Sequence, residues 1–413
     1  MSGKSAAQIA ATSLREGEEG AAKKRTRSWQ PYIDAALGFR NHWYPVFFGS
    51  ELKEGDISHG LGEGAVSEVK TLQICGERIL FRRVNGKICG IKDQCLHRGS
   101  PFSVKPECYT KETITCWYHG FTYDLRDGSL KTILTDPKSP LIGKVAIKSY
   151  PVEERQGVVF VFIGDMDPAP PLEDDVQPGF LDDSLTIYPE GRTVVAKGNW
   201  RMAAENGFDP AHTYIHRNSP LVRAFRLPTV FGDTGLSESH GLKVVDGPGP
   251  KGVMLIRGVG NPVWEAEIEP GVKLKARFMP NDEGVNNEMV PEVSIWMPGG
   301  LKVDPFPAVG IIMFEWYVPV DEDHYRYIMT WGRYLISSRE KDRFLEEVAT
   351  LWKPLVPTTF TNEDEQAREA IHEFYASEGG WYKERLFGPD VVITRWRELA
   401  SRVNRGIQRR GLD

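Results

Sequence analysis

Four residues constrain this chain more than any others. Cys95 and His97 stand one residue apart, Cys116 and His119 stand two apart, and eighteen residues (98–115) separate the pairs. Each pair puts one thiol and one imidazole on a short loop, and both groups are strong metal ligands. The flanking sequence runs in short β-rich segments from about Val46 to Phe162. Thr71–Cys75, Ile79–Phe81, Val84-Asn-Gly-Lys87 and Asp127-Gly128 alternate apolar runs with hairpin signals, the pattern of a small antiparallel β domain. Gly99, Pro101 and Gly120 suit tight loops at the ligands, and Trp117, Tyr118 and Phe121 suit an apolar lid over them.

Three uses of these ligands compete. In a Rieske [2Fe–2S] centre two cysteines hold one iron and two histidines the other, so each loop gives one of each kind. A structural zinc site of two cysteines and two histidines pairs like ligands on each loop, because that closes a small tetrahedron. Unrelated core cysteines and histidines are the third reading. The mixed pairs favour the Rieske cluster. Cys75, Cys89 and Cys108 lie outside the motif and read as small buried hydrophobes. Five cysteines, an odd count in a large chain, fit poorly with a secreted disulfide framework.

The 413 residues leave room for two or three domains, with 40% apolar and 26% charged residues as in a globular protein. A net charge of −6 with scattered Lys and Arg gives no footprint for nucleic acid. The basic run Lys23–Arg27 reads as part of a solvated tail. No apolar stretch approaches the roughly 20 residues of a membrane span, and the N-terminus lacks a signal-peptide core, so a cytoplasmic protein is expected. Residues 1–28 read as a mobile tail, 29–165 as the metal-binding β domain and 166–413 as a second domain, with Gly164–Pro171 as linker. In the second domain, strand-like runs fill about 185–335 around one helix-like stretch near 200–217. Helical periodicity follows from about Ser338 to Arg410. The fold class expected is α+β.

A second constellation lies in that domain. His212 and His216, four apart, share a face if the segment is a helix, and Asp209 with Pro210 at the first position would cap it. Such a pair alone is more often structural. A cluster that passes single electrons needs an acceptor, however, and iron(II) held by two histidines and one carboxylate is the usual centre for oxygen activation. Near the C-terminus, Asn362 and Glu365 form a capping-box pattern. On the helix it starts, Asp364 falls in line with Ala367, Ile371 and Phe374, while Glu363 and Glu365 fall to the sides or outward. A buried carboxylate with no partner would cost several kcal/mol, on the order expected for an unpaired internal ion, and a metal removes that cost. An aspartate favouring the positive helix N-terminus remains the alternative.

With these residues in place the chain resembles the terminal oxygenase components of the Rieske non-haem iron ring-hydroxylating oxygenases, within them the branch acting on carbazole and 2-oxoquinoline. The resemblance is carried by Gly38–Pro45, Thr115–His119, Glu205–Pro210, Phe314–Pro319 and Ala367–Ala370. It implies an antiparallel β Rieske domain and a catalytic domain with a large antiparallel sheet flanked by helices. It also implies a homotrimer in which the Rieske cluster of one subunit faces the mononuclear Fe(II) of the next. Asp209 would bridge His119 of one subunit and His212 or His216 of its neighbour. Electrons would come from NADH through a ferredoxin, a reductase or both, to react O2 with an aromatic or N-heteroaromatic ring. The Gly207 carbonyl would accept a hydrogen bond from a ring N–H, with Leu301, Phe306 and Phe360 as apolar pocket residues. Thr213, Thr361 and Met313 depart from the side chains expected at such positions, and added hydroxyls favour a more polar ring. Monooxygenation or oxidative demethylation is the nearest alternative. A Rieske electron carrier would leave His212, His216 and Asp364 without a use, and a zinc-stabilised binding module would leave both iron sites without one.

Overall fold

A computed structural model describes residues 27–55, 68–227, 241–256, 263–277, 289, 292–335 and 337–412. The expected tail, including the basic run, lies almost wholly outside them.

The first half is antiparallel β, built as three small sheets. Strand His42–Phe48 pairs with Val158–Ile163, which pairs with Val152–Arg155. A four-stranded sheet orders Lys70–Ile74, Glu77–Val84, Lys87–Lys92 and Ser149–Tyr150. A three-stranded sheet of Thr113–Thr115, Phe121–Asp124 and Leu130–Ile133 carries the second ligand loop. The Asn85-Gly86 hairpin has both residues at positive φ (50° and 78°), the twist that a two-residue β turn requires.

The second half is an eight-stranded antiparallel sheet. Its order is Leu185–Ile187, His324–Tyr334, Ile312–Pro319, Gly300–Asp304, Glu292–Trp296, Gly252–Ile256 and Leu242–Val245, and Arg192–Lys197 also pairs with His324–Tyr334. Its two central strands are buried on both faces, and the period of two sorts their side chains. Ile312, Phe314, Trp316, Val318 and Ile328 pack with the β-domain strands. Met313, Tyr317, Tyr325, Tyr327, Met329 and Trp331 pack on the other side with the helices Trp200–Phe208 and Val391–Val403. The sheet is thus the shared wall between the β domain and the helical layer.

Several expectations change. Residues 29–41, grouped with the β domain in the expected division, place Trp29, Tyr32, Ala35 and Phe39 in the helical-layer core beside Trp200 and Trp396. The helix-like stretch near 200–217 is two elements, the α-helix Trp200–Phe208 and the 3-10 helix His212–Asn218. The break falls at Asp209, extended at φ −61° and ψ 122°, because Pro210 bars the residue before it from helical geometry. Asp209 therefore closes the first helix instead of opening the second at Pro210, although its carboxylate still accepts the Ala211 N–H at 2.7 Å. The capping box at Asn362 does not form, since π-helical residues Pro357–Thr361 run directly into the helix Asn362–Ala376. The buried face of that helix is Asp364, Arg368 and His372; of the expected line Asp364 is buried, Ala367 and Phe374 are half-buried and Ile371 is exposed.

Candidate active site and electron-transfer centre

The two ligand loops are near copies of each other. Gly99 N–H donates to the Cys95 carbonyl and Gly120 N–H to the Cys116 carbonyl, each at 2.9 Å, and both glycines sit at φ +72°. Cys95 N–H and Cys116 N–H reach back to the Ser100 and Phe121 carbonyls at 3.0 and 2.7 Å. The thiols lie buried at the base and share a hydrogen bond; main-chain N–H groups of His97, Tyr118 and His119 also point at them. That bond from Cys95 holds the Cys116 thiol down at about 6 and pushes Cys95 up. The imidazoles stand above, with Nδ1 of His97 and Nδ1 of His119 3.1 Å apart and the His97 ring stacked on Phe121. Ligands are thus paired by kind across the loops, an inner pair of sulfurs and an outer pair of nitrogens, which fits a two-iron Rieske cluster. Trp117 and Tyr118 stack on each other, Tyr118 also packs on the His119 ring at 3.8 Å, and both stay about half exposed. Tyr123, which the motif does not include, places its hydroxyl 3.4 Å from Cys95 Sγ, and hydrogen bonds to the sulfurs are one control on cluster potential.

In the second domain His212, His216 and Asp364 bring one ligand atom each within 4.8 Å of one another. The Nδ1 of His212 meets the Asp209 carbonyl, and the Nδ1 of His216 meets Glu363 Oε2 at 2.8 Å. Both partners accept, so both Nδ1 atoms carry protons and the Nε2 atoms turn inward. There they lie 3.6 and 3.4 Å from Asp364 Oδ1, too far for good hydrogen bonds. His216 Nε2 and Asp364 Oδ1 are buried without a hydrogen-bond partner among the described residues. Burial would push Asp364 up and His216 down; their mutual attraction outweighs it, aided at Asp364 by Arg368, so Asp364 is held well below the carboxylate range and His216 above its usual value. Two imidazoles in the ligand tautomer and one carboxylate facing a common point fit a divalent iron. Glu363, expected at the side or outward, is the residue that orients His216, and Phe360 stacks on the same ring at 3.7 Å.

A cavity opens beside this point. Gly207, His212, Thr213, Leu301, Phe306, Met313, Phe360 and Asp364 all line it, which brings every expected pocket residue but one to the same wall. The exception is Thr361, buried outside the lining with its hydroxyl donated to the Val356 carbonyl at 3.1 Å. Thr213 likewise donates to the Pro210 carbonyl at 3.0 Å. Of the two expected hydroxyls only that of Thr213 is on the wall, with its proton given to main chain, and Glu315 and Arg368 are polar lining residues that the sequence reading did not name. Glu315 was legible as the lone charge in the apolar run Ile312–Pro319, but nothing local marked which face it takes.

Comparison with known proteins agrees with this geometry. Residues 42–151 match the Rieske [2Fe-2S] domain, and residues 162–408 match the family described as homotrimeric ring hydroxylase. The terminal oxygenase component of carbazole 1,9a-dioxygenase from Metapseudomonas resinovorans is 46% identical over 93% of this chain and 96% of its own length. The corresponding terminal oxygenase from Novosphingobium sp. KA1 superposes with a TM-score of 0.83 at 43% identity, covering 95% of this chain and all of that one (100%). A carbazole-bound oxygenase in complex with ferredoxin superposes with a TM-score of 0.83 at 45% identity, over 94% and 97% of the two chains. No helix among the described residues is long and apolar enough to cross a membrane. Sequence, fold and site geometry agree, and the chain belongs to the Rieske non-haem iron ring hydroxylases, as a terminal oxygenase component.

Proposed function

We propose that this oxygenase hydroxylates a flat N-heteroaromatic ring of the carbazole type, taking electrons from NADH through a ferredoxin, and works as a cytoplasmic homotrimer. The observation that carries the reading is the inward-facing set of His212 Nε2, His216 Nε2 and Asp364 Oδ1 beside a cavity lined mostly by apolar side chains. When bound, mononuclear iron supplies O2 activation and the Rieske cluster supplies single electrons.

The chain's own residues divide the remaining work. Leu301, Phe306 and Phe360 give the ring its apolar bed and exclude water from it. The Gly207 carbonyl serves as acceptor for a ring N–H, which fixes the edge presented to the metal. Phe360 doubles as the packing that keeps the His216 ring from turning. The Asp209 carbonyl and Glu363 hold the two imidazoles in the ligand tautomer. Cys95, His97, Cys116 and His119 hold the cluster at a tip where Leu96, Trp117 and Tyr118 are 51, 42 and 51% exposed. A solvent-facing apolar patch around the imidazoles suits a neighbouring subunit, and the Asp209 carboxylate of that subunit is the group we assign to bridge the two centres.

The test is product mass. Purified oxygenase with ferredoxin, reductase and NADH, given carbazole or 2-oxoquinoline under heavy-isotope O2, should convert carbazole with two labelled oxygens. One labelled oxygen would make it a monooxygenase, and no ring product from either compound would refute the substrate class.

A further inference from the structure

Two ionisable side chains besides the metal-facing ones line the cavity. Glu315 is 3% and Arg368 1% exposed, and neither belongs to a ligand motif. Such groups are costly to bury unless their hydrogen bonds are met, and here they are. Glu315 Oε2 accepts from the Tyr317 hydroxyl at 2.5 Å, and Oε1 accepts from the Tyr327 hydroxyl. Arg368 Nε donates to Asn206 Oδ1 at 2.6 Å, and its guanidinium lies 5.1 and 5.7 Å from the rings of Tyr317 and Tyr327.

This network ends on two functional elements. At one end is Asn206-Gly207 on the helix Trp200–Phe208. The Tyr317 hydroxyl approaches Gly207 so closely that a Cβ there would lie 2.3 Å from it. At the other end Arg368 stands one turn after Asp364 on the helix Asn362–Ala376. Apolar packing would fill this space too, but apolar contacts slide, whereas short hydrogen bonds fix distance and direction.

We propose that Glu315, Tyr317 and Arg368 form a polar brace that locks the Gly207 peptide to the helix bearing Asp364, making Tyr317 a positioning residue for selectivity toward ring N–H substrates. The brace deepens the reading above and rests on it for the identity of the ring. Glu315 aims the Tyr317 hydroxyl, the hydroxyl sets how far the Gly207 peptide sits from the sheet, and Arg368 ties Asn206 to the metal carboxylate's own helix. Acceptor and metal ligand thereby keep one separation while substrates change.

The test compares carbazole with fluorene, which has a CH2 where carbazole has N–H. Dissociation constants, iron content and the Rieske visible spectrum are measured on the iron-loaded oxygenase and on Tyr317→Phe and Glu315→Gln. Loss of one directed hydrogen bond should weaken carbazole by about tenfold in both variants and fluorene by less than about twofold. Iron content and the Rieske spectrum should stay as in the parent. Equal weakening of both rings, or of neither, would overturn the positioning role, because a packing defect does not distinguish N–H from CH2. If the parent itself binds both rings alike, the N–H acceptor assignment fails, and the brace is then judged on Arg368→Lys alone. That variant keeps the charge but loses the Nε hydrogen bond to Asn206. Faster loss of mononuclear iron on dialysis supports the brace, and unchanged retention overturns it.

Discussion

At the residue scale, the mononuclear centre separates ligands from the groups that aim them. Asp364 offers its oxygen to the common point, whereas Glu363, next in sequence, spends its carboxylate on His216 Nδ1. Two adjacent carboxylates thus have different tasks. Asp364→Ala should abolish mononuclear iron while leaving the Rieske visible and paramagnetic spectra intact. Glu363→Ala should weaken iron affinity by about 10–100-fold without abolishing it, as for other residues that orient a ligating imidazole. Metal analysis across a chelator titration checks both; the reverse order of severity would exchange the two assignments. From sequence, the choice of Asp364 over Glu363 rested on an apolar line that missed the fully buried residues, because the buried face follows every fourth residue to Arg368 and His372 while Ala367 and Phe374 are half-buried and Ile371 is exposed.

At the element scale, the ligand loops show how far one backbone requirement goes. Gly99 and Gly120 share the same positive φ, which costs a residue with a Cβ roughly 1–2 kcal/mol. Their surroundings differ. A Cβ on Gly120 would lie 2.7 Å from Leu134 Cβ and 3.2 Å from its main-chain nitrogen, while on Gly99 it would meet the end of the flexible Gln94 side chain at 3.1 Å. Gly120→Ala should therefore lose most of its cluster and Gly99→Ala should keep more, read as visible absorbance per chain after identical reconstitution. Equal loss would mean that φ strain alone decides. The sequence signalled both glycines as loop residues, since turn chemistry is local; it held no sign of Leu134, which follows the strand Leu130–Ile133 that pairs with Phe121–Asp124.

At the scale of the whole molecule, the Rieske imidazoles sit on a surface tip, and Asp209 lies at the break between the helix Trp200–Phe208 and the histidine-bearing segment. Electron transfer between subunits predicts complementation. Cys116→Ser chains lack a cluster, Asp364→Ala chains lack mononuclear iron, and each trimer alone should be inactive. Co-expressed mixed trimers should recover ring oxidation, up to about a third of normal turnover per chain if each productive pair acts alone. Mixed trimers of confirmed composition that remain inactive would place both electron-transfer partners within one chain.

The sequence by itself determined the cluster ligands, the β domain around them and the two-histidine motif, whereas the pocket wall was named only through the family resemblance. The first three rest on short-range rules: a loop closes through hydrogen bonds four or five residues apart, and strand alternation sorts faces. Only tertiary structure decided the rest. His216 and Glu363 meet across 147 residues of chain. Their histidine segment is a 3-10 helix, in which a spacing of four does not by itself align two side chains. Glu315 reaches the pocket because its strand is buried on both faces, a situation in which alternation of polar and apolar residues disappears from the sequence while the alternation of side-chain direction remains in the fold.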